Sequence, residues 1–298
     1  GMVVVTLLLE MFVSYKVYSS YLKYLALALL AYVFTALVVK IDWSAVFVST
    51  ITPHIEMSRD YIFNIVAILG TTISPYLFFW QANEEVEEQV VHHKLRQLGA
   101  GQPRVTPSDI SRLRIDTTIG MFFSNLIMFF IIVTTGDTLF PNGISAIEST
   151  TDAALALRPI AGDFAFILFA LGIVGTGFLA VPILAGSASY AVSEAFGWEA
   201  GLHMKLKHAH GFYGVIVIAT LAGILINFIG INPMSALYYT AILNGIIAPP
   251  LLIMIFFISN NKKIMGSKTN GMVSNVIGVT TICIMSLAAI ALLWQLVS

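Results

Sequence analysis

Gly70-Thr71-Thr72-Ile73-Ser74-Pro75-Tyr76 interrupts an otherwise apolar, helix-length segment that runs from about Tyr61 to Ala82. Pro75 lacks an N–H, and its ring clashes with the carbonyl four residues back, that of Thr71. Gly70 and the β-branched run Thr71-Thr72-Ile73 already lower helix propensity there, so the helix is expected to break. A freed carbonyl in hydrocarbon costs several kcal/mol unless protein, water or an ion satisfies it. Two readings stay open at this point. Interrupted spans mark transporter binding sites; a plain proline kink, satisfied by neighbouring hydroxyls such as Thr72 or Ser74, needs no ligand.

The surroundings of the segment fix the broad class. The chain has 298 residues, 58% of them hydrophobic and 10% charged, with a mean hydropathy of +0.88. That is far outside soluble domains and predicts an all-α polytopic membrane protein, with the lipid bilayer as its partner. Net charge of −1 says nothing useful about partners, because the charges lie in loops and their distribution matters more than their sum; no nucleic-acid partner is expected. Cys283 alone excludes an internal disulfide framework and a cysteine metal site, and reads as a small buried hydrophobe. No nucleophile and base pair and no phosphate loop is present, so no enzyme is expected.

Spanning-length apolar segments fall at about 24–39, 61–82, 117–135, 163–185, 210–230, 236–258 and 273–296. A shorter run at 2–13, preceded by Gly1 and lacking a basic leader, reads as the end of a further helix, so the chain is expected to begin inside a span, as a fragment would. Eight helices result. Alternate loops then divide the 15 Lys and Arg very unevenly. Lys16, Lys23, Lys94, Arg96, Arg104, Arg112, Arg114, Lys205, Lys207, Lys262, Lys263 and Lys268 lie in one set, and only Lys40, Arg59 and Arg158 in the other. The first set is cytoplasmic by the positive-inside rule.

Within the cytoplasmic stretch 83–116, Glu84-Glu85-Val86-Glu87-Glu88 followed by His92-His93-Lys94 predicts a helix running out of the membrane to about Leu98, before Gly99. Its carboxylates read as a solvated face in preference to a cation vestibule. Thr106-Pro107-Ser108-Asp109 predicts a capped surface helix leading into the next span. His203, His208 and His210 read as solvent-exposed. Outside, Ile144 to Leu157 predicts an amphipathic helix stopped by Pro159 and Gly162, with Asp137, Glu148 and Asp152 as surface acids. Among intramembrane polar residues, Asn125 and Asn227 read as interhelical hydrogen-bonding groups, and Glu10 as pointing inward or pairing with Lys16. Asn244 precedes Pro249-Pro250, where a second broken helix is expected.

Gly70 through Gln81, with the acidic run at 84–88 after it, resembles the sixth helix of the Nramp family of divalent-metal transporters, in a divergent branch carrying a serine-proline-tyrosine version. The likeness extends through Ser14-Tyr15-Lys16, Asn232-Pro233 to Pro250, and Asn270 to Asn275. The resemblance implies a LeuT-like inverted-repeat fold with most of the first repeat missing. Residues 1–60 would end the first repeat, 61–258 would form the second five-helix repeat with its break at 70–76, and 259–298 would add a cytoplasmic loop and a further helix. The missing N-terminal helices, or a second chain supplying them, would hold the other half of the site.

Carried over by position, the resemblance makes Thr71 a carbonyl ligand, Ser74 the counterpart of a methionine ligand, and Tyr76 and Gln81 the counterparts of two histidines. A hydroxyl in place of a thioether suits a hard, oxygen-ligated ion such as Mg²⁺ or Mn²⁺. The implied metal site is Thr71, Ser74 and Asn244, with Gly70, Thr72, Pro75, Tyr76 and Gln81 forming the break and pathway. The expected activity is transport of a divalent cation by alternating access in the plasma membrane of a prokaryote, with no cofactor beyond the transported ion. Alternatives are a LeuT-like carrier of a small organic solute and a non-transporting remnant or half of a split transporter.

Overall fold

In a bilayer every backbone polar group must be satisfied within the protein, which for apolar segments means helix. A computed structural model describes residues 24, 27–52, 54–91, 93–95, 105–144, 147, 149–202, 204 and 206–297. Among them the regular elements are all helical. Five stretches are long and apolar enough to cross a membrane: Arg59–Val91, Pro107–Asn142, Gly162–Phe196, Pro233–Asn260 and Met272–Val297. The chain is an all-α, multi-pass integral membrane protein.

The helices are α1 (Leu30–Val38), α2 (Trp43–Ile51), α3 (Arg59–Thr72), α4 (Pro75–Val91), α5 (Pro107–Thr138), α6 (Thr150–Leu155), α7 (Arg158–Ala161), α8 (Ala165–Phe196), α9 (His210–Phe228), α10 (Pro233–Asn260), α11 (Lys262–Met265) and α12 (Met272–Val297). The span expected at 24–39 contains a 3-10 turn at Leu27–Leu29 and the nine-residue α1. The run at 2–13 and Glu10 lie outside the described residues, as do His92, Gly99, Glu148 and His203.

The chain forms two compact units, each assembled from separate stretches. One takes the described residues of 1–50 and 76–232, the other 51–75 and 233–297, so the chain passes between them at Pro75–Tyr76. In the first unit, Trp80, Tyr190, Phe212, Tyr213 and Ile216 form one core, and Tyr32, Leu139, Ala156, Leu157 and Ala165 another. The Thr134 hydroxyl on α5 donates to the Tyr32 carbonyl on α1 across 3.1 Å. In the second unit, Ile62, Val66 and Ala67 of α3 pack with Ala241 and Ile242 of α10 and Leu292 of α12.

Local signals decided most boundaries, and several expectations need correction. Helix α4 stops at Val91, short of Leu98, because His93 adopts a left-handed φ of 58° and the N–H groups of Lys94 and Leu95 both turn back to the Gln89 carbonyl, at 2.8 and 3.1 Å. The Thr106 and Asp109 capping box forms as expected, but no separate surface helix follows: α5 runs unbroken for 32 residues, because nothing between Ile110 and Thr117 breaks it. The helix expected from Ile144 begins late, at Thr150, where Ser149 and Asp152 cap each other. Asp152 is thereby a capping group, and Pro159 sits in the first turn of α7, which ends at Gly162 with φ 52°.

Helix α10 continues through Pro249 and Pro250, so the second broken helix does not occur. Packing holds it, since Ala248 and Pro249 are buried. Asn125 donates to the Met121 carbonyl of its own helix at 2.8 Å and makes no interhelical bond among the described residues. Asn227 lies in α9, but its side chain is outside what is described. His208 and His210 are exposed, as expected.

Candidate ion site at the helix break

The break is shorter than the motif. Helix α3 runs through Thr72, with the Ile73 N–H still donating to the Leu69 carbonyl at 2.8 Å, and α4 begins at Pro75. Only Ile73 and Ser74 leave the helical path, Ile73 with φ −111° and ψ 77°. The carbonyls of Gly70 and Thr71 are left at the end of α3 without helical N–H partners, Thr71 because residue 75 is proline.

Ser74 addresses both. Its hydroxyl is 2% exposed and donates towards the Thr71 carbonyl at 3.0 Å and the Gly70 carbonyl at 3.1 Å. A hydroxyl has a single proton, so the two carbonyls share it and each retains an acceptor lone pair, as does Ser74 Oγ itself. Thr71 and Thr72 send their hydroxyls back to the Ile68 carbonyl, at 2.7 and 2.9 Å. The hydroxyls of Thr71, Thr72 and Ser74 are thus all turned onto the carbonyl end of α3. A helix C-terminus carries a partial negative charge, and oxygen donors at such an end suit a hard cation.

Helix α10 fixes where that end lies. Gly70 is packed so closely on α10 that a Cβ there would sit 2.0 Å from the Ala241 carbonyl oxygen and 2.6 Å from the Gly245 nitrogen. A Cβ on Gly245 would in turn meet the Val66 carbonyl oxygen at 2.6 Å. Small residues that let two membrane helices touch through their backbones set the crossing point. Asn244 lies in the turn Ala241 to Gly245 that receives Gly70, and is half-buried. Among the described residues no hydrogen bond joins Asn244 to Thr71 or Ser74. The structure therefore brings Thr71, Ser74 and the Asn244 turn into one unit, with Ser74 buried and the Thr71 side chain exposed.

The remaining motif residues belong to the other unit. Tyr76 is half-buried, and its carbonyl accepts from the Ser187 hydroxyl of α8 at 2.6 Å; Gln81 is exposed. Sequence reasoning missed Ser187, and it also missed that Glu87 leaves the solvated acidic face. Glu87 is buried, and its Oε1 accepts from the Tyr190 hydroxyl and from the Leu202 N–H, the latter at 2.6 Å. The available signal was the spacing 76, 80, 83, 87, one stripe of a helix. Glu88 behaves as expected of a surface acid, pairing with Arg112 at 2.9 Å. Among the described residues no group of three His, Cys, Asp or Glu is placed to hold a metal.

The chain is similar to the divalent metal cation transporter MntH of Caldanaerobacter subterraneus, 25% identical over 252 residues that cover 84% of this chain and 54% of that protein. It is also similar to the MntH proteins of Clostridium acetobutylicum, 20% identical over 89% of this chain and 56% of the relative, and of Yersinia enterocolitica, 20% identical over 74% and 48%. The chain spans about half the length of the curated relatives it matches. The model of the natural resistance-associated macrophage protein-like family, Nramp, matches residues 1–295, and the chain belongs to that family.

Proposed function

We propose that this chain serves transmembrane transport of a divalent metal cation, of the hard Mg²⁺ or Mn²⁺ type, by alternating access within a LeuT-like architecture. The observation that supports it best is the break itself: a buried hydroxyl and two carbonyls without helical partners at one helix end inside a membrane segment of an Nramp-family chain. The ligands would be the Thr71 carbonyl, Ser74 Oγ and the Asn244 side-chain oxygen. Octahedral Mg²⁺ needs six oxygens, so water or groups outside this chain would supply the rest. With no thioether at position 74, softer ions lose their advantage. The ion is cargo, and no resident cofactor is invoked. The membrane would be the plasma membrane of a prokaryote.

The test is uptake by the natural full-length protein in proteoliposomes. Saturable entry of Mg²⁺ or Mn²⁺ that amino acids do not compete is expected. Transport of amino acids with indifference to both cations would replace this reading by the organic-solute one.

A further inference from the structure

Four acids follow the break on α4, and one of them is taken inside. Glu87 is 7% exposed, within the first unit's core of Trp80, Tyr190, Phe212 and Tyr213. Burying a carboxylate among aromatics is costly unless donors meet it, and two do, from two different segments: the Tyr190 hydroxyl on α8 and the Leu202 backbone N–H in the turn after α8.

These bonds end a seam along one face of α4. At its start the Tyr76 carbonyl accepts from Ser187. Next, the Trp80 ring fills the space above Gly186, where a Cβ would come within 2.3 Å of it, and meets Tyr190 edge-on at 6.2 Å. Asn83, also buried, follows, and Glu87 closes the seam. The half-helix that leaves the break is therefore docked on α8 by two hydrogen-bonded ends with an aromatic contact between them.

We propose that Glu87 is a positioning residue for the transport cycle: its bonds to Tyr190 and Leu202 latch α4 onto α8, and their release frees the half-helix that follows the break. The purpose of the release rests on the transport reading above; the latch itself does not. A latch made by two donors explains why a carboxyl group is retained in an apolar core, where a hydrophobic residue would pack at lower cost.

The test uses the natural full-length protein in sealed vesicles, with Cys283→Ser and Asn83→Cys, and reads the rate at which a membrane-impermeant maleimide labels residue 83 from the cytoplasmic side. Tyr190→Phe removes only one hydroxyl, and Glu87→Ala both bonds. Tyr190→Phe is expected to raise the labelling rate about tenfold, the ratio that one hydrogen bond supports, and Glu87→Ala more than that. The double variant should add little to the larger single effect. Glu87→Gln keeps an acceptor oxygen and should return labelling towards the parent rate. Unchanged labelling in Tyr190→Phe and Glu87→Ala overturns the latch, as does labelling that rises only in step with a loss of thermal stability. If Glu87→Ala does not fold, Tyr190→Phe and Glu87→Gln decide. Metal uptake is measured in parallel: raised labelling in a protein that moves no divalent cation keeps the latch and removes the transport reading, whereas unchanged labelling with intact uptake does the reverse.

Discussion

Gly70 and Gly245 meet backbone to backbone, so closely that a Cβ on Gly70 would stand 2.6 Å from the Gly245 nitrogen and 3.0 Å from its Cα. Neither neighbour is a flexible side-chain end, so nothing can swing aside. The contact holds the end of α3, and with it the Gly70 and Thr71 carbonyls, against the Asn244 turn of α10.

Gly70→Ala should therefore destabilise the protein by about 1–3 kcal/mol, the cost of overpacking a tight site. Gly120, in α5, has open space where its Cβ would go, and Gly120→Ala should be neutral or stabilising by up to about 1 kcal/mol. Thermal unfolding in detergent compares the two. Equal effects would mean that the crossing at Gly70 is not as tight as described.

Ser74 holds two carbonyls with one proton. Ser74→Ala should lose about 1–3 kcal/mol of stability, the penalty for leaving a buried acceptor unmet. Ser74→Met should shift binding in the full-length protein towards Cd²⁺ and Mn²⁺ relative to Mg²⁺, because a thioether prefers softer ions. Isothermal calorimetry reads the preference, and an unchanged order would remove Ser74 from the ligand set.

Pro75→Ala restores the N–H that the Thr71 carbonyl lacks. The helix should then run from α3 into α4, with a local gain of about 3 kcal/mol and slower amide exchange at residues 73–76. Cation uptake should fall, because closing the ladder takes the Thr71 carbonyl away from the ion. Undiminished uptake in a protein with a closed helix would reduce the break to a simple kink.

In the connection between α10 and α12, Asn260 and Asn275 exchange both amide bonds, at 2.9 and 2.8 Å, and Asn270 donates to the Ser259 hydroxyl at 3.0 Å. Asn260→Ala and Asn275→Ala should each destabilise, and a double-mutant cycle should return a coupling of about 1 kcal/mol. Additive effects would show that the reciprocal pair carries no coupling.

Local chemistry made some of this protein legible without a structure. Hydropathy alone marks membrane helices, because a lipid-facing backbone has no other way to close its hydrogen bonds. Pro75 marks the break for an equally local reason, acting on a carbonyl four residues away in the same helix. The Thr106 and Asp109 cap is local too, and formed as read. Boundaries were less legible where two local signals competed, as at His93 against Gly99, or where packing carried a helix through prolines, as in α10.

Facing was not legible. In a chain that is apolar towards lipid and apolar towards its own core, hydrophobic periodicity loses the contrast that reveals a buried face in a soluble protein. Sequence by itself determined that this is a multi-pass helical membrane protein with a span broken somewhere between Gly70 and Tyr76. Only the tertiary structure decided that Ser74 turns back onto the Gly70 and Thr71 carbonyls, that Gly70 seats on the Asn244 turn, and that Glu87, of four neighbouring acids, is the one drawn onto Tyr190. Each of these depends on which residue of a distant helix stands opposite, and that is a property of packing, not of any stretch read alone.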